Sequence, residues 1–341
     1  MALSVATSVA KRSNLCRAIN DGLDIALGMN DNSIVFGEDV GSGGVFRCTD
    51  GLQKKYGKHR VFNTPLSEQG IVGFGIGAAA AGYAAIAEIQ FADYMFPAMD
   101  QIVNEAAKYR YRSGGVFHAG GLTIRAPYGA IGHGGMYHSQ APEAFLTHAA
   151  GVKVVIPSGP FDAKGLLLSS IEDPNPVIFF EPKIMYRMKE ELVPQDVYKV
   201  PLGKAHVVRQ GSDVTIVTWG QQVSSSMEAA DLLRDKHGIE CEIIDVRTLI
   251  PLDLPCLKDS VVKTGRLVVV HEAPKTSGFG AEIVASISEA CHSSLKDPPC
   301  RITGYDIPFP RALEHAYLPS KDRIYQTVAG IFNEKSTHVL H

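Results

Sequence analysis

Short runs rich in β-branched residues alternate with longer stretches of helical spacing along nearly the whole chain, and that alternation points to parallel sheets covered by helices. In the first half the strand-like runs are Ser33 to Phe36, Ala85 to Phe91, Leu122 to Arg125, Lys153 to Ile156 and Val177 to Glu181. Apolar spacing predicts helices between them at about Leu15 to Met29, Gln69 to Gly82, Tyr94 to Arg112 and Phe161 to Glu172. A second series follows the polar, Pro-containing stretch Met188 to Pro201. Its strands are expected at Val214 to Trp219, Cys241 to Val246, Leu267 to His271 and Arg301 to Thr303. Its helices are expected at about Val223 to Lys236, Leu254 to Lys263, Ala281 to Ser294 and Asp322 to Glu334, with Gly238 and Gly265 where C-terminal caps fall. The reading is an α/β fold of two domains with mainly parallel sheets, over residues 1–187 and 205–341, joined by a linker over 188–204.

Composition narrows the function classes. Lys plus Arg is 33 and Asp plus Glu is 36, a net charge of −3 with no long block of one sign, so no nucleic-acid partner is expected. The six cysteines, at 16, 48, 241, 256, 291 and 300, form no CxxC pair and read as reduced thiols in an intracellular protein, mostly in core packing. The uncharged run Gln69 to Ala87 is long enough to raise the question of a membrane span, but Gly and Ala fill most of it, so a buried helix is expected instead. Ahead of Asp21, the first acidic residue, Lys11, Arg12 and Arg17 stand among Ala and Ser. That is the composition of a mitochondrial presequence or its stub, and an ordinary N-terminus fits as well.

Two constellations carry chemistry. Glu68 opens the Gly- and Ala-rich helical run in Thr64-Pro65-Leu66-Ser67-Glu68-Gln69-Gly70. A carboxylate there complements the helix dipole or caps the first turn. The low bulk behind it, with Gly70, Gly73, Gly75 and Gly77, also suits a close subunit or domain contact that would desolvate the carboxylate and tune its ionisation. Gly73, Gly75 and Ala78 match a dinucleotide fingerprint in letters, but no strand feeds directly into them. The second constellation is Gly132-His133-Gly134-Gly135-Met136-Tyr137-His138-Ser139-Gln140, a loop permissive enough to approach a ligand and carrying two potential proton carriers. A structural loop and a zinc site are the competing readings, although His133 and His138 lack a usual ligand spacing.

Together these segments resemble one family. Val35-Phe36-Gly37-Glu38-Asp39-Val40, Gly43-Gly44-Val45-Phe46-Arg47, Val61 to Gly70, Ala87 to Tyr94, Tyr137-His138-Ser139-Gln140, Lys153 to Pro157 and His271-Glu272-Ala273-Pro274 are similar to the beta subunit of the thiamine-diphosphate-dependent 2-oxo acid dehydrogenases. Gly44-Val45-Phe46-Arg47-Cys48 and Glu181 to Arg187 favour its branched-chain members over the pyruvate ones. The resemblance implies a transketolase-like pyrimidine-binding domain followed by a transketolase C-terminal-like domain.

It also implies roles. Glu68 would bond the cofactor's pyrimidine ring and drive the tautomeric shift that lets the thiazolium lose its proton. Tyr94 would pack on that ring, with Leu66 and Gln90 beside it. His138 would serve in proton transfer or in guiding the acyl group to lipoamide. No GDG motif occurs, so magnesium and the diphosphate are expected on an alpha subunit, in a two-alpha, two-beta heterotetramer attached to a lipoyl acyltransferase core. A potassium ion is implied at Gly120, Leu122, Thr123, Ser170, Asp173 and Asn175, although Asp173-Pro174-Asn175-Pro176 by itself is a helix-stopping turn. The expected location is the mitochondrial matrix, or the cytoplasm for a bacterial source. The sequence departs from the family pattern at Ser67, Ala141, Ser158-Gly159 and Glu314-His315-Ala316-Tyr317. A pyruvate or acetoin enzyme, and a catalytically idle subunit of such a complex, are the alternatives.

Overall fold

A computed structural model describes residues 9–333. The contacts within the chain group it into two compact units, the first running to residue 128 and resuming at 149–202, the second formed by 129–148 and the chain from 203 onward.

In the first unit the strands are β1 (Ala10–Ser13), β2 (Ser33–Gly37), β3 (Val61–Asn63), β4 (Ala84–Glu88), β5 (Leu122–Tyr128), β6 (Lys153–Val155), β7 (Val177–Pro182) and β8 (Glu191–Pro194). Six of them lie in the order β6-β7-β5-β4-β2-β3, every neighbouring pair parallel, while β1 and β8 form a separate antiparallel pair. The Leu15–Met29 helix starts on Asn14, whose side chain accepts from the Arg17 amide at 3.0 Å. Its stripe of Leu15, Ile19, Leu23 and Leu27 packs with Leu166 and Leu167 of the Pro160–Ile171 helix and with Val35, Ile86 and Phe179 of the sheet.

The second unit holds β9 (His206–Arg209), β10 (Val214–Thr218), β11 (Cys241–Asp245), β12 (Thr248–Ile250), β13 (Leu267–Pro274) and β14 (Cys300–Gly304). Five of these form a sheet in the order β14-β13-β10-β11-β9, parallel except for β9. Its core joins Ile216, Ile243 and Val268 to Leu233 of the Gln222–His237 helix and Ile324 and Val328 of the Lys321–Asn333 helix. Gly238 and Gly265 cap their helices in the left-handed conformation, as expected.

The structure departs from the sequence expectation in the rod after Tyr94. Tyr94 to Arg112 is not a single α-helix: a 3-10 turn spans Ala92–Ala98, a π turn Gln101–Ala106 and a short α turn Tyr109–Arg112. Pro97 lies inside the first of these and lacks the amide that an α ladder needs. The apolar periodicity survives, because Ile102 and Ala106 still face inward. β4 also stops at Glu88, short of the expected Phe91, which releases Gln90 and Phe91 from the sheet.

Among the described residues no helix is long and apolar enough to cross a membrane. The uncharged run splits between the Glu68–Ala80 helix and β4, which places Gly73 and Gly75 well inside the helix rather than at a strand-to-helix turn. Residues 1–8 of the presequence-like stretch, and Glu334 of the last expected helix, lie outside the described residues.

Candidate active site

In the first unit, β3 leads through Thr64 to Ser67 into the helix that begins at Glu68. Glu68 therefore sits in the first turn, partly exposed, where the free amides favour a carboxylate. Leu66, two residues earlier, is 84% exposed, an apolar side chain left uncovered beside that carboxylate.

The decisive neighbour is Glu38, directly after β2. Its side chain is 3% exposed and its Oε1 finds no hydrogen-bond partner among the described residues. Burial, with the carboxylates of Glu68 and Asp39 close by and a direct contact with Glu68, pushes the Glu38 carboxyl up to about 7. The Tyr94 hydroxyl is raised by burial and by the same acidic surroundings, Asp93, Glu68 and Glu38. Gln90 donates from Nε2 to Asp39 Oδ2 at 3.1 Å. Phe91 meets Tyr94 edge to face with centroids 5.4 Å apart, and Phe46 meets Phe91 at 5.5 Å. The structure thus brings Glu68, Gln90 and Tyr94 into one neighbourhood with Leu66 at its rim. It also adds Glu38, for which the sequence offered a visible signal, a carboxylate at the C-terminal end of a parallel strand, but no role.

A buried ion cluster supports this wall. Arg125 on β5 bonds Glu88 on β4 at 2.9 Å and Glu181 on β7 at 2.6 Å, and the Tyr186 hydroxyl donates to Glu181 at 2.6 Å. All four side chains are buried. The two carboxylates hold the Arg125 guanidinium firmly charged against its burial, while burial raises Glu88 and Tyr186.

His138 lies in the second unit, on the loop that follows Gly129. A 3-10 turn at Gly135–Tyr137 precedes it, and the His138 amide donates to the Gly135 carbonyl at 3.4 Å. The loop closes at its base, where the Gly129 amide donates to the Gln140 carbonyl at 3.1 Å. Gly129 has φ +75°, and a Cβ there would fall 1.8 Å from Glu272 Oε1, so another residue would be strained and would displace the Glu272 carboxylate. The Gly132 amide donates to the buried carboxylate of Glu314 in a short contact. Glu314 opens the run in which the sequence departs from the family pattern, and its role as a loop anchor was invisible until the fold placed it. Among the described residues no group of three or more His, Cys, Asp or Glu is arranged to hold a metal ion.

The residues singled out for potassium also converge in the first unit. Gly120 passes so close to Pro174 that a Cβ would lie 2.3 Å from the Pro174 carbonyl oxygen, and the Gly121 amide donates to the Asp173 carbonyl at 3.0 Å. Thr123, next to Leu122 on β5, keeps its hydroxyl buried without a hydrogen-bond partner among the described residues. The side chains of Ser170, Asp173 and Asn175 are engaged: Ser170 donates to the Leu166 carbonyl, Asp173 pairs with Lys153 at 2.5 Å, and Asn175 Oδ1 accepts from Arg110 at 2.8 Å. Among these side chains the Thr123 hydroxyl alone has no hydrogen-bond partner among the described residues.

Residues 13–189 match the family described as transketolase, pyrimidine binding domain, and residues 203–324 the family described as transketolase, C-terminal domain. The chain is 61% identical to the 2-oxoisovalerate dehydrogenase subunit beta 2, mitochondrial, of Arabidopsis thaliana, over 95% of this chain and 90% of that one. It belongs to the 2-oxoisovalerate dehydrogenase beta-subunit family. A further relative of that name, the mitochondrial beta subunit of Dictyostelium discoideum, is 58% identical over 93% of this chain and 86% of its own. Among solved structures, an inactive beta4 tetramer of a split-gene transketolase shares the fold at a TM-score of 0.76 and 21% identity, covering 96% of this chain and all of that one. The two-domain transketolase-like fold expected from the sequence is the observed one.

Proposed function

We propose that this chain is the beta subunit of a branched-chain 2-oxo acid dehydrogenase, inactive alone, which with an alpha subunit decarboxylates branched-chain 2-oxo acids and passes the acyl group to a lipoyl domain. The observation that carries the reading is the contact of Glu68 with buried Glu38, ringed by Tyr94, Gln90 and exposed Leu66. These residues fit an aminopyrimidine: a carboxylate for a ring nitrogen, an aromatic and an aliphatic side chain for the ring faces, and an amide for the exocyclic edge. When bound, thiamine diphosphate supplies an acidic thiazolium carbon that adds to the 2-oxo carbon and accepts the electrons left by carbon dioxide.

The chain's own residues prepare that chemistry. Glu68 would hold a pyrimidine ring nitrogen by a charge-assisted hydrogen bond, placing its carboxylate where it would increase the basicity of the ring's amino group. Glu38, its carboxyl raised to about 7 by burial and by the neighbouring carboxylates, can hold its proton toward Glu68. Tyr94, braced by Phe91, and Leu66 hold the ring. His138, on its anchored loop, transfers a proton or guides the acyl group toward lipoamide.

The same residues bear on the partners. The Glu68–Ala80 helix buries Ile71, Val72, Gly75, Ile76 and Ala79 and leaves Gly70, Gly73 and Gly77 exposed, a face of low bulk suited to close approach by an alpha subunit in a two-alpha, two-beta heterotetramer. Magnesium and the diphosphate are assigned to that subunit, since the chain has no GDG motif. Potassium is assigned to carbonyl oxygens around Gly120, Leu122 and Asp173 together with the Thr123 hydroxyl. The lipoyl acyltransferase core completes the complex, in the mitochondrial matrix or in a bacterial cytoplasm. Co-expression with an alpha subunit tests the reading: thiamine-dependent decarboxylation should favour branched-chain 2-oxo acids over pyruvate, and a preference for pyruvate would overturn the substrate assignment.

A further inference from the structure

Two thiols that the proposed reaction does not use face each other beneath the aromatic wall of the site. Cys16, in the first turn of the Leu15–Met29 helix, and Cys48, 32 residues later, place their sulfurs 3.6 Å apart. Both are buried, at 8% and 3% exposure. They differ in access: Cys16 borders a cleft of about 420 Å³ lined by Asn14, Arg17, Asn20, Arg47, Asp50 and Arg187. Cys48 lies behind it. Three of those six lining side chains are guanidinium groups, so the cleft favours an anionic sulfur at its wall.

We propose that Cys16 and Cys48 are a peroxide-sensitive pair that closes into a disulfide and loosens the aromatic stack leading to Tyr94. The order of events follows from access and electrostatics. The Cys48 thiol donates to Cys16, and this bond, helped by Arg187 and Arg125, lowers the Cys16 thiol, whereas burial raises Cys48. Cys16 is therefore the attacking thiolate. Its sulfur bonds one peroxide oxygen, the O–O bond breaks, and the leaving hydroxide takes the proton that Cys16 gave up, forming water. Cys48 then attacks the Cys16 sulfenic sulfur, the S–S bond forms, the S–O bond breaks, and the hydroxyl leaves with the Cys48 proton as a second water. Two thiols lose two electrons and one peroxide gains them.

Closure has a route to the site. A disulfide requires the sulfurs to approach to about 2.05 Å. Cys16 also donates to the Phe46 carbonyl at 3.4 Å, a bond that ends when its proton is lost. Phe46 lies two residues from Cys48, and its ring packs on Phe91 and on Tyr186, at 5.5 and 5.2 Å. Drawing Cys48 toward the helix pulls the Phe46 segment, and with it the support of Phe91 beneath Tyr94. The consequence for cofactor binding rests on the thiamine reading above; the pairing of the thiols does not.

The test treats the assembled alpha and beta subunits with hydrogen peroxide, then alkylates, digests and weighs the peptides. The expected result is a linked Cys16–Cys48 peptide, reversed by dithiothreitol, and a rise of about fivefold in the thiamine diphosphate concentration giving half-maximal activity, the size of one weakened aromatic contact. Cys48→Ser should abolish both responses. Recovery of Cys16 and Cys48 only as separate alkylated or over-oxidised peptides would overturn the pairing, a result read on the natural chain and independent of any variant. A linked peptide with an unchanged half-saturation would overturn the coupling to Tyr94. An enzyme that shows no dependence on thiamine diphosphate at all contradicts the functional reading and leaves the linked peptide as evidence for the pair.

Discussion

The carboxyl groups of Glu38 and Glu68 meet at the junction of a strand end and a helix start, one buried and the other partly open. Two carboxylates in contact do not both ionise easily, and burial decides which keeps the proton. Here burial favours the proton on Glu38. On the proposed reading, it is the Glu68 carboxylate that would bond a pyrimidine nitrogen.

This pair predicts a pH signature. Folding raises the Glu38 carboxyl from 4.5 to about 7, so the folded state binds its proton more tightly than the unfolded chain does. The stabilisation is complete below pH 4.5, is lost as pH rises, and is gone above pH 7. Glu38→Gln mimics the protonated form, so its stability should lie within about 1 kcal/mol of the natural protein at pH 5 and exceed it at pH 8 by about 3 kcal/mol. Chemical denaturation at both values checks this, and a difference independent of pH contradicts it.

Arg125 should be the costliest polar residue of the wall. Arg125→Met leaves Glu88 and Glu181 buried without their shared cation, and should cost about 3 to 5 kcal/mol of stability. Denaturant unfolding reads the loss directly. A cost below about 1 kcal/mol, the range of an exposed ion pair, would show that the cluster is solvated.

The His138 loop should depend on Glu314. Removing its carboxylate in Glu314→Ala frees the Gly132 amide, which should exchange faster with deuterium. Activity of the assembled enzyme should fall about tenfold with the fold intact, whereas Glu314→Gln, which keeps an acceptor oxygen, should retain most of it. Equal losses in the two variants would remove the anchoring role.

Most of the architecture was legible because β-branched runs and helix caps are local signals. Leu15 to Met29 begins and ends where its pattern does, with Asn14 capping it. In the rod after Tyr94, apolar spacing reports which side faces inward, not which amides are bonded, and Pro97 alters only the bonding. Glu68, Gln90 and Tyr94 could be singled out from motifs. Glu38, Glu314 and the Cys16–Cys48 contact could not, since each depends on a neighbour between 30 and 182 residues away.

The role proposed for Glu68 is to activate the bound cofactor. The most direct measurement is the rate at which the thiazolium C2 proton of bound thiamine diphosphate exchanges with deuterium, in the assembled enzyme and without a 2-oxo acid. Glu68→Gln should slow that exchange by at least about a hundredfold while the chain still assembles with its partner. Exchange at the natural rate in this variant would contradict the role assigned to Glu68.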